Sequence, residues 1–106
     1  MNKPKFFMMV GLPGSGKSHL ARKLAVEYNA AVHSSDSVRF EINGDENDQS
    51  NNGLVFSTLH NRIKNDLSAN KNCIYDACNI SKKTRMAFLR EISNIDCEKH
   101  CIIVMT

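Results

Sequence analysis

The sequence predicts a three-layer α/β fold built on a parallel β-sheet of about four strands. Short apolar runs alternate along the chain with segments whose apolar residues recur every four positions, which is typical of strands joined by crossover helices. A glycine-rich segment also lies between the first apolar run and the first helical segment. The length of 106 residues predicts one domain, residues 1–106, with a single modest core.

Each strand is predicted from a short apolar run bounded by polar or turn-forming residues. The four runs are Lys5–Val10, Ala30–His33, Asn72–Ala77 and His100–Met105. The first is apolar at nearly every position, as expected of a strand covered on both faces. The last is followed by a single residue, and we therefore expect the chain to be part of a longer protein.

Helices are predicted where apolar residues recur at four-residue spacing. The residues that mark them are, in chain order, Leu20, Leu24 and Tyr28; Val38 and Ile42; Val55, Leu59, Ile63 and Leu67; and Phe88, Leu89, Ile92 and Ile95. The first helix is predicted over Gly16–Tyr28, the second begins at the capping residues Ser34–Asp36, and Ser81 caps the last. The polar segment Asn43–Gly53 between the second and third helices predicts a loop.

The composition is that of an ordinary globular chain, with 42% hydrophobic and 24% charged residues. No apolar stretch approaches the roughly 20 residues that cross a bilayer, and the N-terminus lacks the small-residue cleavage site of a signal peptide. We expect a cytoplasmic protein without a membrane partner. A net charge of +3 is compatible with an anionic ligand but is too small by itself to indicate nucleic-acid binding.

The four cysteines show no paired C-x-x-C spacing. Cys97, His100 and Cys101 could supply zinc ligands together with Cys73 or Cys78. Cys73 and Cys101 lie in predicted strands, however, where cysteine usually behaves as a small buried apolar residue. Free thiols are therefore the expectation, with a zinc site as the alternative.

Residues 11–18 read Gly-x-x-x-x-Gly-Lys-Ser between a predicted strand and a predicted helix, the pattern of a phosphate-binding loop, or P-loop. Glycines permit the backbone angles and close approach that turn several N–H groups toward one anion, and the following helix adds its positive N-terminal end. This predicts a P-loop NTPase fold. The predicted nucleotide-binding residues are Gly11, Pro13, Gly14, Ser15, Gly16, Lys17, Ser18 and His19.

The same loop predicts ATP and Mg²⁺ as cofactors. Lys17 can reach the β- and γ-phosphates, and the hydroxyl of Ser18 can bind Mg²⁺. The guanine-binding pattern Asn-Lys-x-Asp is absent, because Asn70–Cys73 reads NKNC without the aspartate. That absence favours ATP over GTP.

Three further charged residues follow or end predicted strands at the edge where ligands of open parallel sheets bind. Asp36 could position or deprotonate an acceptor hydroxyl, or it could only cap its helix. Arg39, one turn further on, could hold an acceptor phosphate, or it could be solvated. Asp76 could hold Mg²⁺ through water or orient Ser18, or it could be a turn residue.

Three segments, GLPGSGKS, HSSDSVRF and IYDACNISKKTR, together resemble the 5′-kinase domain of bacteriophage-type polynucleotide kinases and the wider AAA_33 family of small P-loop kinases. The resemblance extends from about Phe6 to Met105. It implies that Lys17 and Ser18 contact the ATP phosphates and Mg²⁺, that Asp36 is the general base for the acceptor 5′-hydroxyl, and that Arg39 contacts the acceptor phosphate. Asp76 and Asn79 match the strand-end motif of the family.

Two departures accompany the resemblance. His19 stands where the family more often has threonine, and nothing follows Thr106 that matches the lid of the family, which carries a charge-stabilising arginine. Loss of such an arginine typically lowers turnover by on the order of 10³-fold or more, so we expect little activity from this chain alone.

The resemblance implies a nucleoside triphosphate and single-stranded RNA or DNA 5′ ends as partners. A backbone-tracking groove would use cations, for which Arg39, Lys82, Lys83 and Arg85 are candidates. Two alternatives stay open: a kinase for small-molecule hydroxyl groups, and a nucleotide-binding module without transfer activity. The oligomeric state is not predicted.

Overall fold

The structure, a computed structural model, describes residues 3–11, 16–45, 50–78 and 81–103. Eight helices and strands lie in these ranges. They are β1 (Lys5–Gly11), α1 (Lys17–Tyr28), β2 (Ala31–Ser34), α2 (Ser35–Asn43), α3 (Asn52–Ser68), β3 (Cys73–Cys78), α4 (Lys82–Glu91) and β4 (Glu98–Ile103). The order of strands and helices is the predicted one, and most of the boundaries agree within one or two residues.

The four strands form one parallel sheet in the order β2-β3-β1-β4. Helix α1 covers one face, where Leu20 and Leu24 pack against a buried cluster that contains Phe7, Met9 and Ile74. The apolar side chains of α2, α3 and α4 form a second cluster with Phe6, Met8 and Tyr75 on the other face. The predicted three-layer α/β architecture is therefore confirmed.

Helices α2 and α3 extend into the segment predicted as a loop. Helix α2 continues to Asn43 and ends at Gly44, which has a left-handed φ of 75°. Asn51, also left-handed with a φ of 59°, precedes α3, so Gly53 lies inside that helix. Glycine and asparagine tolerate this conformation better than other residues, so Gly44 and Asn51 suit the two helix ends. The described residues between these ends, 44, 45, 50 and 51, are not helical, as predicted, and residues 46–49 lie outside the described residues.

Helix α4 is shorter than predicted, because it ends at Glu91 and leaves Ile95 beyond it. Ile92 is the C-cap residue and is nevertheless fully buried. The following Ser93 and Asn94 favour turns over helix because their side chains compete for backbone hydrogen bonds. Ile95 still packs against the core from the turn, so the spacing between Ile92 and Ile95 does not indicate a helix here.

Strand β4 begins at Glu98, two residues earlier than predicted, and its predicted end at Met105 lies outside the described residues. It is an edge strand paired with β1, with Lys5 opposite Glu98. An edge strand tolerates polar residues because one side and much of its faces meet solvent. For the same reason Cys101 is exposed, and the expectation that it is buried is wrong; Cys73, in the interior strand β3, is buried as predicted.

Candidate functional site

The carboxyl ends of the strands bring several of the predicted site residues to one edge of the sheet. Strand β1 ends at Gly11, β2 at Ser34 and β3 at Cys78, and the helices that follow these three strands begin at that edge. The register aligns Asp76 of β3 with Met9 of β1 on one side and with Ser34 of β2 on the other. The starts of α1, α2 and α4 therefore share an edge with Asp76.

Gly16 is the N-cap residue of α1 and has a φ of 83°. A Cβ atom at this position would meet nothing within 4 Å, so glycine is favoured here by the backbone angle and not by crowding. The first turn of α1 contains no acidic residue, so the helix does not neutralise the positive end of its dipole with a carboxylate of its own. This end of α1 suits an anion.

The remaining P-loop predictions are only partly visible. Pro13, Gly14 and Ser15 lie outside the described residues, and so do the side chains of Lys17 and Ser18, although both residues begin α1. Gly11 ends β1, and His19 is exposed in the first turn of α1.

Asp76 is half-buried on the face of the sheet that α1 covers. Side chains alternate along a strand, so Asp76 shares its face with Ile74, which packs under α1, while Tyr75 faces the opposite cluster. A carboxylate here fits Mg²⁺, which proteins typically bind through one or two carboxylates, phosphate oxygens and water. Among the described residues no group of three or more His, Cys, Asp or Glu side chains could hold a metal ion. The side chain of Cys78, which belongs to the zinc alternative, lies outside them.

Asp36 lies in the first turn of α2 with a half-exposed side chain. Ser34 is the N-cap residue, because its Oγ accepts a hydrogen bond from the backbone N–H of Ser37 at 3.1 Å. The alternative in which Asp36 is only the cap is therefore wrong. Its Oδ1 instead accepts a hydrogen bond from Nη1 of Arg39 at 3.0 Å.

Arg39 is buried, with 7% of its side chain exposed, so the alternative of a solvated arginine is wrong. Besides the bond to Asp36, its Nη2 donates to Oδ1 of Asn52 at 3.5 Å. Its Nε–H is also buried and has no acceptor among the described residues. The guanidinium thus links the first turn of α2 to the first turn of α3.

Asn52 is a site residue that the sequence did not predict. It lies in a polar segment rich in asparagine and glycine, and nothing in that pattern distinguishes it from its neighbours. Only the packing of α2 against α3 brings it to Arg39, 13 residues away in the chain. No sequence signal could have found this contact.

The start of α4 is basic. Ser81 caps the helix as predicted, since its Oγ accepts from the backbone N–H of Thr84 at 3.2 Å. Lys82 and Lys83 are exposed in the first turn, and Arg85 is half-buried. Asn79 lies outside the described residues. Two lysines beside a positive helix end make this part of the edge attractive to anions.

Within the part of the chain that the structure describes, no helix has the length and apolar character that crossing a membrane requires.

A family model, AAA_33, described as an AAA domain, matches residues 6–106. A comparison with curated proteins finds no match. Among solved structures, the chain is similar to a chain of the Pnkp1/Rnl/Hen1 complex, with a TM-score of 0.87 and 22% identity over 100% of this chain and 37% of the other. A structure of the Pnkp1/Rnl/Hen1 RNA repair complex gives a TM-score of 0.85 and 22% identity over 98% and 34%.

The Mycobacterium tuberculosis APS kinase CysC, as its Cys556Ala mutant, is also similar, with a TM-score of 0.75 and 16% identity. That match covers 98% of this chain and 77% of the other. At such identities the similarity shows the fold. The chain spans only about a third of the length of the two RNA-repair-complex chains, 37% and 34%.

Proposed function

We propose that this chain, which belongs to the AAA_33 family, transfers the γ-phosphate of ATP to the 5′-hydroxyl at the end of a polynucleotide. Its fold is that of P-loop kinases. In the proposed reaction, the 5′ oxygen attacks the γ-phosphorus and a new O–P bond forms. The bond from that phosphorus to the β,γ-bridging oxygen breaks, ADP leaves, and the proton of the hydroxyl passes to Asp36.

The observation that carries the proposal is the setting of Asp36. Its carboxylate is half-exposed at the edge where α1 begins, while its Oδ1 is held by a buried guanidinium. A general base has to reach a substrate proton and must also be fixed in orientation. Asp36 meets both requirements, with Oδ2 left for the acceptor hydroxyl.

In this proposal Arg39 acts on the base rather than on the acceptor phosphate. A bidentate contact with a phosphate would use Nη1 and Nη2, and these nitrogens already bond Asp36 and Asn52. The burial of Arg39 further favours a positioning role. The acceptor backbone is then met by the exposed lysines Lys82 and Lys83 at the start of α4.

ATP is held, in the proposal, by residues 11–19, with Lys17 at the terminal phosphates and the N-terminal end of α1, which has no acidic residue in its first turn, at the triphosphate. Ser18 and Asp76 would hold Mg²⁺, which neutralises charge that develops on the phosphate oxygens. Asp76 supports this because it is half-buried on the α1 face at the same edge.

The test measures transfer of label from γ-labelled ATP to a single-stranded oligonucleotide with a 5′-hydroxyl, under single-turnover conditions that detect slow chemistry. Asp36→Asn should lower the rate by about 10²–10⁴-fold, the usual contribution of a general base. The affinity for Mg²⁺-ATP should not change. Asparagine keeps an oxygen that can accept the hydrogen bond of Arg39, so this variant removes the proton acceptor with little change in shape.

The matched control is Glu27→Gln on the exposed surface of α1, at the opposite edge of the sheet, which should leave the rate unchanged. Equal rates for Asp36→Asn and the wild type would exclude Asp36 as the base. Label transferred to a sugar or a nucleoside but not to the oligonucleotide would indicate a small-molecule kinase. Binding of Mg²⁺-ATP without transfer to any acceptor would indicate a nucleotide-binding module.

A further inference from the structure

We infer that Phe40 is a stacking platform for the nucleobase of the acceptor's 5′-terminal nucleotide, the one whose hydroxyl Asp36 deprotonates. The inference rests on the proposed function and adds to it the residue that distinguishes a nucleotide end from a simple sugar alcohol. Stacking on an aromatic ring is how proteins commonly hold single-stranded nucleic acid without reading its sequence.

Phe40 lies on the exposed side of α2. This helix buries Ser35, Val38 and Arg39 against the rest of the protein. Asp36 and Phe40 are four residues apart on the remaining face, where positions i and i+4 are neighbours. The side chain of Asp36 is 54% exposed, and Phe40 is 60% exposed. A ligand that reaches the carboxylate therefore meets the ring one helical turn, about 5.4 Å, further along.

The helix that carries the ring is capped at both ends. The carbonyl of Phe40 accepts the backbone N–H of Gly44 at 2.8 Å, and Gly44 closes the helix in the left-handed conformation. Ser34 caps the other end. An aromatic side chain has only two rotatable bonds, so binding a flat partner costs it little conformational entropy. Among the described residues, the ring of Phe40 has no ring–ring contact.

The chemistry of a nucleotide end matches this pair of residues. A nucleoside carries a flat base on the same sugar as its 5′-hydroxyl, so one ligand can occupy both the carboxylate and the ring; a sugar alone offers no aromatic plane. The charges beside the ring also allow a polyanionic ligand to bind there. Glu41, the next residue, forms an ion pair with Arg62 at 2.6 Å, so it does not present an unbalanced negative charge.

The experiment is a thermodynamic cycle between Phe40 and the 5′-terminal base. The affinity of a short 3′-labelled single-stranded oligonucleotide with a 5′-hydroxyl is measured by fluorescence anisotropy, with and without an abasic site at its 5′ nucleotide. Phe40→Ala should weaken binding of the intact oligonucleotide about tenfold, and the abasic site should weaken binding to the wild type by a similar factor. The two changes together should cost no more than either alone. Phe40→Trp should retain the affinity.

The matched control is Val26→Ala, which removes an exposed apolar side chain from α1 far from Asp36 and should change neither affinity. If the losses of affinity caused by Phe40→Ala and by the abasic site multiply, while phosphoryl transfer still depends on Asp36, the inference about Phe40 is wrong and the proposed function stands. If the wild type binds no oligonucleotide, both the inference about Phe40 and the proposed function are wrong. If instead the wild type dimerises, Phe40→Ala is monomeric and oligonucleotide affinity is unchanged, Phe40 covers a second copy of the chain and the inference is wrong.

Discussion

Helix α3 takes part in two buried polar clusters that are built differently. At its first turn, Asn52 meets Arg39, which in turn holds the half-exposed Asp36. Further along the helix, Nε2 of His60 is 2.8 Å from the hydroxyl of Tyr75 in β3. The first cluster leaves a buried N–H of Arg39 without an acceptor among the described residues, whereas the second joins two polar groups within an aromatic shell.

The difference teaches what each cluster contributes. The guanidinium of Arg39 bonds both Asp36 and Asn52, so the first cluster fixes the orientation of a half-exposed carboxylate. The His60 ring stacks on Phe88 with centroids 4.3 Å apart, and Tyr75 is only 1% exposed. That cluster fills the core between α3, α4 and the sheet, and its contribution is to stability.

The largest effect should come from removing the centre of the aromatic cluster. Phe88 is fully buried and contacts the rings of Phe6, His60 and Tyr75. Phe88→Ala should lower the free energy of unfolding in urea by about 3–5 kcal/mol, because it removes apolar contacts and leaves a cavity. Met86→Ala, on the exposed side of the same helix, should change it by no more than about 0.5 kcal/mol.

If Phe88→Ala cost less than about 1 kcal/mol, the aromatic cluster would not be the stability element that its packing indicates.

An intermediate effect should come from replacing Arg39, and it should be seen in the rate of phosphoryl transfer and not in stability. Arg39→Met should lower the phosphoryl-transfer rate roughly 100-fold, because Asp36, the proposed base, loses its fixed orientation. The free energy of unfolding should stay within about 1 kcal/mol of the wild type, because methionine keeps much of the buried apolar volume and the Asp36 carboxylate that loses its partner is half-exposed to water. Arg62→Met, which breaks the exposed pair with Glu41, is the control and should change neither quantity.

If Arg39→Met lowered the free energy of unfolding by more than about 3 kcal/mol and changed the phosphoryl-transfer rate little, the cluster around Arg39 would contribute to stability and not to the orientation of Asp36.

The smallest effect concerns pH. Burial lowers the pKa of His60; nearby Glu91 opposes this shift, and Lys64 adds to it. The folded state therefore favours the neutral ring, and the unfolded chain binds the proton at higher pH than the folded one. The stability that the neutral ring contributes is present above the unfolded pKa of about 6.5 and is lost as the pH falls below it.

Urea denaturation between pH 7.5 and 5 checks this prediction. His60→Phe should flatten the dependence, whereas His100→Gln, at an exposed position of β4, should preserve it. An equally steep dependence in His60→Phe would assign the proton uptake to another group.

Much of the fold could be predicted from the sequence, because the buried residues of this protein recur at regular spacing within single helices and strands. The apolar run of β1 and the four-residue spacing of Val55, Leu59, Ile63 and Leu67 each correspond to a buried row in the structure. The prediction failed where the environment depends on position in the sheet. Cys101 has the sequence context of a buried residue but lies on an edge strand, and its exposure follows from strand order, which no local pattern encodes.

The same division holds for the site. The sequence alone determined that a P-loop pattern lies between the first strand and the first helix, and that Asp36 and Asp76 follow or end neighbouring strands, because spacing and residue type are local properties. Only the tertiary structure decided that Ser34 and not Asp36 caps α2, that Arg39 is buried rather than solvated, and that Asn52 is its partner. These outcomes depend on how α2 packs against α3. Arg39 and Asn52 are 13 residues apart in the chain, and Arg39 becomes buried and bonded to Asn52 only when the two helices meet.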